Sequence, residues 1–202
     1  MFAGAALLLA LTPGPGILYV AARTVAGGLG EGVASTLGTA LGGMVHVVAG
    51  AVGLSALLLA SAEAFSAVKL AGCAYLIWLG IRGWREARAP LRGPGQVAAL
   101  GPWRACREGA LVEALNPKTA VFFLAFIPQF IGPAEGAATQ FVILGSICVA
   151  ANTLVDLLVA LGVGRLRAGA LSRPGLMLRA RQASAGLMVA LGLGTLFLRR
   201  PG

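Results

Sequence analysis

Long apolar blocks, separated by short polar or basic stretches, organise this chain. They run near residues 2–22, 35–60, 65–81, 109–131, 137–163 and 183–198. A helix crossing a hydrocarbon layer about 30 Å thick needs roughly 20 apolar residues, so the pattern predicts an all-α integral membrane protein with six transmembrane helices. The predicted connections are a short segment from Arg23 to Glu31, a tight turn at Ser61–Glu63, a loop through 82–107, a turn at Gly132–Gly136 and a basic stretch at 164–182. The reading is one transmembrane domain over 1–202. Its halves, 1–85 and 108–198, are joined by a basic cytoplasmic loop at 86–107, which Pro90, Gly93, Pro94, Gly95, Gly101 and Pro102 make irregular.

Basic residues then orient the spans. With the first, third and fifth connections in the cytoplasm, that side holds twelve Lys/Arg, from Arg23 and the 82–107 loop through to Arg181. The other side holds three, Lys69, Arg199 and Arg200, and Lys118 lies inside a span. This asymmetry predicts a cytoplasmic (inner) membrane protein with both termini outside. Trp84 and Trp103 flank the large basic loop, where interfacial rings belong.

Composition agrees. Hydrophobic residues make up 58% and charged residues only 11%, against about a quarter charged in soluble domains, and mean hydropathy is +0.87. The 30 glycines suit close helix approach. A net charge of +9 raises nucleic acid as a partner, but the arginines sit in gaps between apolar blocks, so membrane topology explains them. Cys73, Cys106 and Cys148 form no C-x-x-C pair and indicate neither a disulfide framework nor a metal site; Cys73 and Cys148 read as buried small hydrophobes. No basic residue precedes the first block and no cleavage pattern ends it, so it reads as a mature helix. Nothing in the pattern calls for a cofactor.

Two blocks contain helix breakers. The first carries Thr12-Pro13-Gly14-Pro15-Gly16 and the fourth Asn116-Pro117-Lys118. Proline removes a backbone donor and glycine costs helical order, and freed backbone groups at membrane depth persist only inside protein or beside a watery cavity. Pro13 lies ten residues before Arg23, and Pro117 ten residues after Arg107. At the helical rise each is roughly 15 Å from its basic boundary, near mid-membrane. Three blocks on each side of the long loop give the halves opposite topology. The expectation is two inverted three-helix repeats whose broken first and fourth helices meet at a substrate site; the alternative is a pair of unrelated proline kinks.

Ionisable residues at membrane depth are functional candidates. Lys118 would neutralise a substrate carboxylate or pair with a carboxylate of the protein. Asp156, one turn from Asn152 on the same face, is a candidate partner for Lys118 or site for a coupling proton; an interfacial carboxylate is the other reading. Glu113 either lines an inner vestibule or snorkels to the interface. His46 shares a face with Gly38, Gly42 and Gly50, a close-packing stripe that favours an interhelical hydrogen bond over a proton carrier. The stripe serves packing within one chain or between copies, which leaves a homo-oligomer open.

These segments resemble the lysine exporter (LysE/RhtB) family of amino-acid efflux proteins. The resemblance rests on TPGP at 12–15, the glycine-rich second block through His46, AYLIWLGIRGW at 74–84 and, most specifically, NPKTAVFFLAFIPQF at 116–130. It implies a six-span inner-membrane exporter of amino acids or related metabolites, driven by protons. One departure stands out: many members follow TPGP with an acidic residue, where this chain has Gly16. Dibasic substrates then fit less well, and the remaining carboxylates gain weight as proton sites. A membrane-embedded redox or enzymatic protein and a non-transporting scaffold are the alternatives.

Overall fold

The structure is a computed structural model of the whole chain. It describes residues 2–60, 98–132 and 136–166, and within the third and sixth blocks residues 67, 70–71, 73–75, 77–78, 81–82, 84–85, 182, 186, 189–190 and 193, all of them helical. Most of the third and sixth predicted spans, the Ser61–Glu63 turn, residues 86–97 of the basic loop, the 167–181 stretch and the C-terminal tail lie outside the described residues.

The described elements are helical throughout. They are α1 (Phe2–Leu11), α2 (Pro15–Ala60), α3 (Pro102–Ala114), α4 (Pro117–Ala125), a 3-10 turn (Ile127–Phe130) and α5 (Ala137–Leu166). Pro15–Gly53 and Ala137–Arg165 are each long and apolar enough to cross a membrane, and Pro102–Ala114 with Pro117–Phe130 forms a third candidate, bent by 47° at its break. Both predicted breaks are present, at 12–14 and 115–116.

Two boundaries differ from the sequence reading. The Arg23–Glu31 segment is helical except at Gly28, whose φ of 77° lies where glycine alone is unstrained. Residues eight apart in a straight helix are separated by about 12 Å along its axis, yet Arg23 Nη1 lies 3.7 Å from Glu31 Oε2. The chain therefore reverses at Gly28, dividing α2 into arms 15–27 and 29–60, and the second span begins about six residues earlier than its apolar block. Likewise α3 starts at Pro102 rather than near 109. Pro102 is preset for the first helical turn, and Gly101, with φ 82°, allows the sharp entry. Polar residues hid both starts from a hydropathy reading.

Contacts order the helices. Added Cβ atoms at Gly38 and Gly42 would fall 2.1 Å from Cys106 O and 2.4 Å from Ala110 O, so the second arm of α2 and α3 run parallel with their backbones touching. Thr39 meets Asp156, while Gly43, Gly145 and Gly50 approach Val149, Val47 and Phe141, so α5 runs antiparallel to that arm. The Gly28 turn, the start of α3 and the end of α5 thus share one end of the bundle, with Arg23, Arg104, Arg107 and Arg165. Toward the opposite end lies an aromatic core. Phe122, Phe123, Phe126, Ile127 and Phe141 pack with Leu9 and Val47, and Phe122 stacks on Phe126 at 4.7 Å. Leu37, Leu41, Val45, Val48 and Val52 form an exposed apolar stripe, Val52 at 69%. Such a face suits lipid rather than water.

At the basic end Glu31 is buried and ties three segments together. Its Oε1 accepts hydrogen bonds of 2.7 Å from both the Leu100 and Gly101 amides, which caps α3 where Gly101 has no side chain to do so. Arg23 pairs with the same carboxylate and donates to Ala98 O at 3.3 Å. Glu31→Ala leaves Arg23 buried without its counter-charge and two amides without an acceptor. A loss of about 3–5 kcal/mol is expected, read as a lowered melting temperature in detergent; an unchanged melt counts against the staple.

Candidate functional site

At each break a proline leaves a carbonyl without its helical donor, and the chain supplies a polar side-chain donor to it. In an α-helix the residue-13 amide would bond Leu9 O, but Pro13 has no N–H. Leu9 O accepts instead from the Thr12 amide at 3.1 Å and from Lys118 Nζ at 3.3 Å. Lys118 Nζ also donates to Thr12 O at 2.9 Å. A cation thus sits on the C-terminal carbonyls of α1, where the helix dipole favours it. In the fourth span Pro117 leaves Glu113 O without its helical donor. That oxygen accepts from the Asn116 amide at 3.0 Å and from His46 Nε2 at 2.8 Å, so His46 carries its donor proton on Nε2.

The polar groups of the second break interlock. Asn116 Oδ1 accepts from the Lys118 amide at 3.1 Å and caps α4. That use directs Asn116 Nδ2 to Glu113 Oε2, at 2.9 Å, while Thr119 Oγ1 donates to Glu113 Oε1 at 2.6 Å. Glycines of the first break make room for these charges. A Cβ at Gly14 would lie 2.9 Å from Lys118 Nζ, and one at Gly16 would lie 2.7 Å from Glu113 Oε2. Gly16 is thus the residue the Glu113 carboxylate stands against.

Between the breaks and α5 lies a small cavity lined largely by polar and charged side chains. Gly16, Ile17 and Thr39 of α2 face it, as do Glu113, Asn116 and Lys118 of the second break. Asn152, Thr153 and Asp156 of α5 close the far wall. Asp156 is 4% exposed, and Thr39 Oγ1 donates to its Oδ2 at 2.7 Å.

Of the residues singled out in the sequence, Gly16, Glu113, Asn116, Lys118, Asn152 and Asp156 line this cavity together. Thr12, Pro13, Gly14, Pro15 and Pro117 shape the two breaks bordering it, chiefly through their backbone. His46 stands behind the wall, on Glu113 O. Among the described residues Arg23–Glu31 is the ion pair within 4.0 Å; Lys118 makes no such pair with Glu113 or Asp156, its ammonium being held by carbonyls instead. Glu113 and Asp156 are both buried among helices rather than at an exposed rim. Thr39 and Thr119 escaped the sequence reading. Thr39 had a signal: Glu31, Ser35 and Thr39, at steps of four, form a buried polar stripe through an apolar helix.

Comparison with known proteins identifies the family of the chain. The sequence profile of the family described as "LysE type translocator" matches residues 7–200. A "Homoserine/homoserine lactone efflux protein" of Salmonella typhimurium is 38% identical over 79% of this chain and 75% of its own length. An "Uncharacterized membrane protein" of Vibrio cholerae is 36% identical over 74% and 73%. A "Leucine efflux protein" of Salmonella choleraesuis is 28% identical over 62% and 59%. No solved structure matches the chain. With a profile match over nearly its full length, the chain belongs to the LysE type translocator family and is a membrane transporter rather than an enzyme.

Proposed function

We propose that this transporter exports amino acids or closely related small metabolites across the cytoplasmic membrane, driven by the proton gradient. The observation that carries the reading is the cavity where Gly16, Glu113, Lys118 and Asp156 converge between two broken helices. The supporting relatives are named for efflux of homoserine, homoserine lactone and leucine. In this reading the six spans form two inverted three-helix repeats, the basic end faces the cytoplasm, and both termini lie outside.

The cavity offers complementary ends to a zwitterion. The 15–27 arm begins at Pro15 behind Gly14, which has no side chain to cap it, so the amides of Gly16 and Ile17 present the positive end of a helix dipole to the cavity. A substrate carboxylate docks beside the Lys118 ammonium. The substrate ammonium faces Asp156 across the cavity. Rocking of the two halves about the breaks exposes the site alternately to each side.

The test is an untargeted comparison of exported metabolites from cells with and without the gene, grown under amino-acid or analogue stress. At least one amino acid or close analogue is expected at several-fold higher extracellular level when the gene is present. Matching profiles would remove the exporter reading.

A further inference from the structure

The cavity holds two carboxylates, and their hydrogen-bond partners differ in what they allow. A group that carries a coupling proton must be stable both ionised and neutral in every cycle. Each state therefore needs a complete set of partners, because an unsatisfied polar group is costly where water is scarce.

Glu113 is satisfied only when ionised. Asn116 Nδ2 on its Oε2 can donate but never accept, and the Asn116 oxygen is already committed to capping α4. Thr119 Oγ1 donates to Oε1. A proton on that oxygen would turn the Thr119 hydroxyl toward a second acceptor, and none is found for it among the described residues. Protonating Glu113 on that oxygen thus reverses its bond with Thr119 and leaves the Thr119 proton unpaired, while a proton on Oε2 would face the Asn116 donor.

Asp156 is satisfied either way. Thr39 Oγ1 lies 2.7 Å from Asp156 Oδ2 and 3.0 Å from Thr36 O. A hydroxyl has one proton and two lone pairs. With Asp156 ionised, Thr39 donates to the carboxylate. With Asp156 protonated, Asp156 donates to Thr39 and the Thr39 proton turns to Thr36 O. Thr36 O keeps a lone pair for this beyond its helical bond, a common local arrangement for threonine in helices. One rotation of one hydroxyl exchanges the two states, with no bond lost in either.

We propose that Asp156, and not Glu113, carries the coupling proton, and that Thr39 is the positioning residue that makes both of its protonation states tolerable. The inference rests on the exporter reading above and assigns its proton site. In the step itself the Asp156 carboxylate takes a proton from one aqueous side and releases it to the other, with no other bond changed. The charged groups sharing the cavity with Asp156 are Glu113 from α3 and Lys118 from α4. Among the described residues, the facing part of α2 contributes hydroxyls and backbone, and α5 itself adds Asn152 and Thr153.

The experiment reconstitutes the full-length protein in liposomes and follows labelled homoserine and leucine with and without an imposed pH gradient. The readout is the ratio of gradient-driven to gradient-free flux, together with the pH at half-maximal export. Asp156→Asn brings the ratio to about one, whatever exchange remains. Glu113→Gln lowers absolute flux but keeps the wild-type ratio. Thr39→Val removes the donor to the ionised form and moves the midpoint about one unit to higher pH, while Thr39→Ser restores it. A wild type that exports while Asp156→Asn stays gradient-driven, or while Thr39→Val keeps the midpoint, overturns this assignment alone. A wild type that moves neither solute overturns it together with the exporter reading for these probes.

Discussion

Lys118→Met is expected to lose export by at least about tenfold and to lower the melting temperature as well. The first effect follows from the cavity, where the ammonium sets the local positive charge beside the proposed substrate site. The second follows from the break in the first span. Thr12 O loses the Lys118 donor, and Leu9 O keeps only the Thr12 amide. A buried carbonyl left unpaired costs about 1–3 kcal/mol. Lys118→Arg is no rescue. Gly14 already lies so close to Nζ that even a methyl group there would crowd it, and a planar guanidinium needs more room than an ammonium. Export assays and thermal unfolding in detergent test both effects. A Met variant that exports and melts like wild type would place Lys118 outside the site and outside the break.

Gly42→Val should be still more damaging, because the contact it violates is between backbones. An added Cβ falls 2.4 Å from Ala110 O and 2.8 Å from Ala114 N. Neither atom can rotate away as a side chain would, so α3 must move bodily. That motion also breaks the His46 bond to Glu113 O and displaces Glu113 from the cavity. Overpacking ordinarily costs about 1–3 kcal/mol; a clash with helix backbone exceeds that range, and little folded protein is expected by size-exclusion chromatography. Gly53 supplies the control on the same helix, since a Cβ there meets nothing within 4 Å. Gly53→Ala should hold or gain up to about 1 kcal/mol from helix propensity. If Gly42→Val folded as well as Gly53→Ala, the close approach of α2 and α3 would be wrong.

The Gly38–Gly42–His46–Gly50 stripe shows how much of this was legible beforehand. Its spacing predicted a close-packed face with an interhelical hydrogen bond, and the face packs α3 at Gly38 and Gly42 and Phe141 at Gly50. What the spacing could not show was that the His46 acceptor is the carbonyl orphaned by Pro117. The two breaks were equally visible, because proline and glycine act locally and identically wherever they occur. The Gly28 reversal and the Pro102 start were not visible as helix, because polar residues there satisfy the fold through long-range partners such as Glu31 with the Leu100 and Gly101 amides.

By itself, the sequence determined that the chain is helical, apolar enough for a membrane, basic at one end of its helices and broken at two points. All of these follow from nearest-neighbour chemistry along the chain: hydropathy, missing amide donors and the positions of arginine. Only the tertiary structure decided which charge answers which break. Lys118 went to the carbonyls of α1 rather than to a carboxylate, Glu113 came to rest against Gly16, and Asp156 met Thr39 rather than Lys118. Those choices depend on how helices distant in sequence pack. In a medium without water, each buried polar group must find its partner within the protein, and only the packed helices define which partners lie within reach.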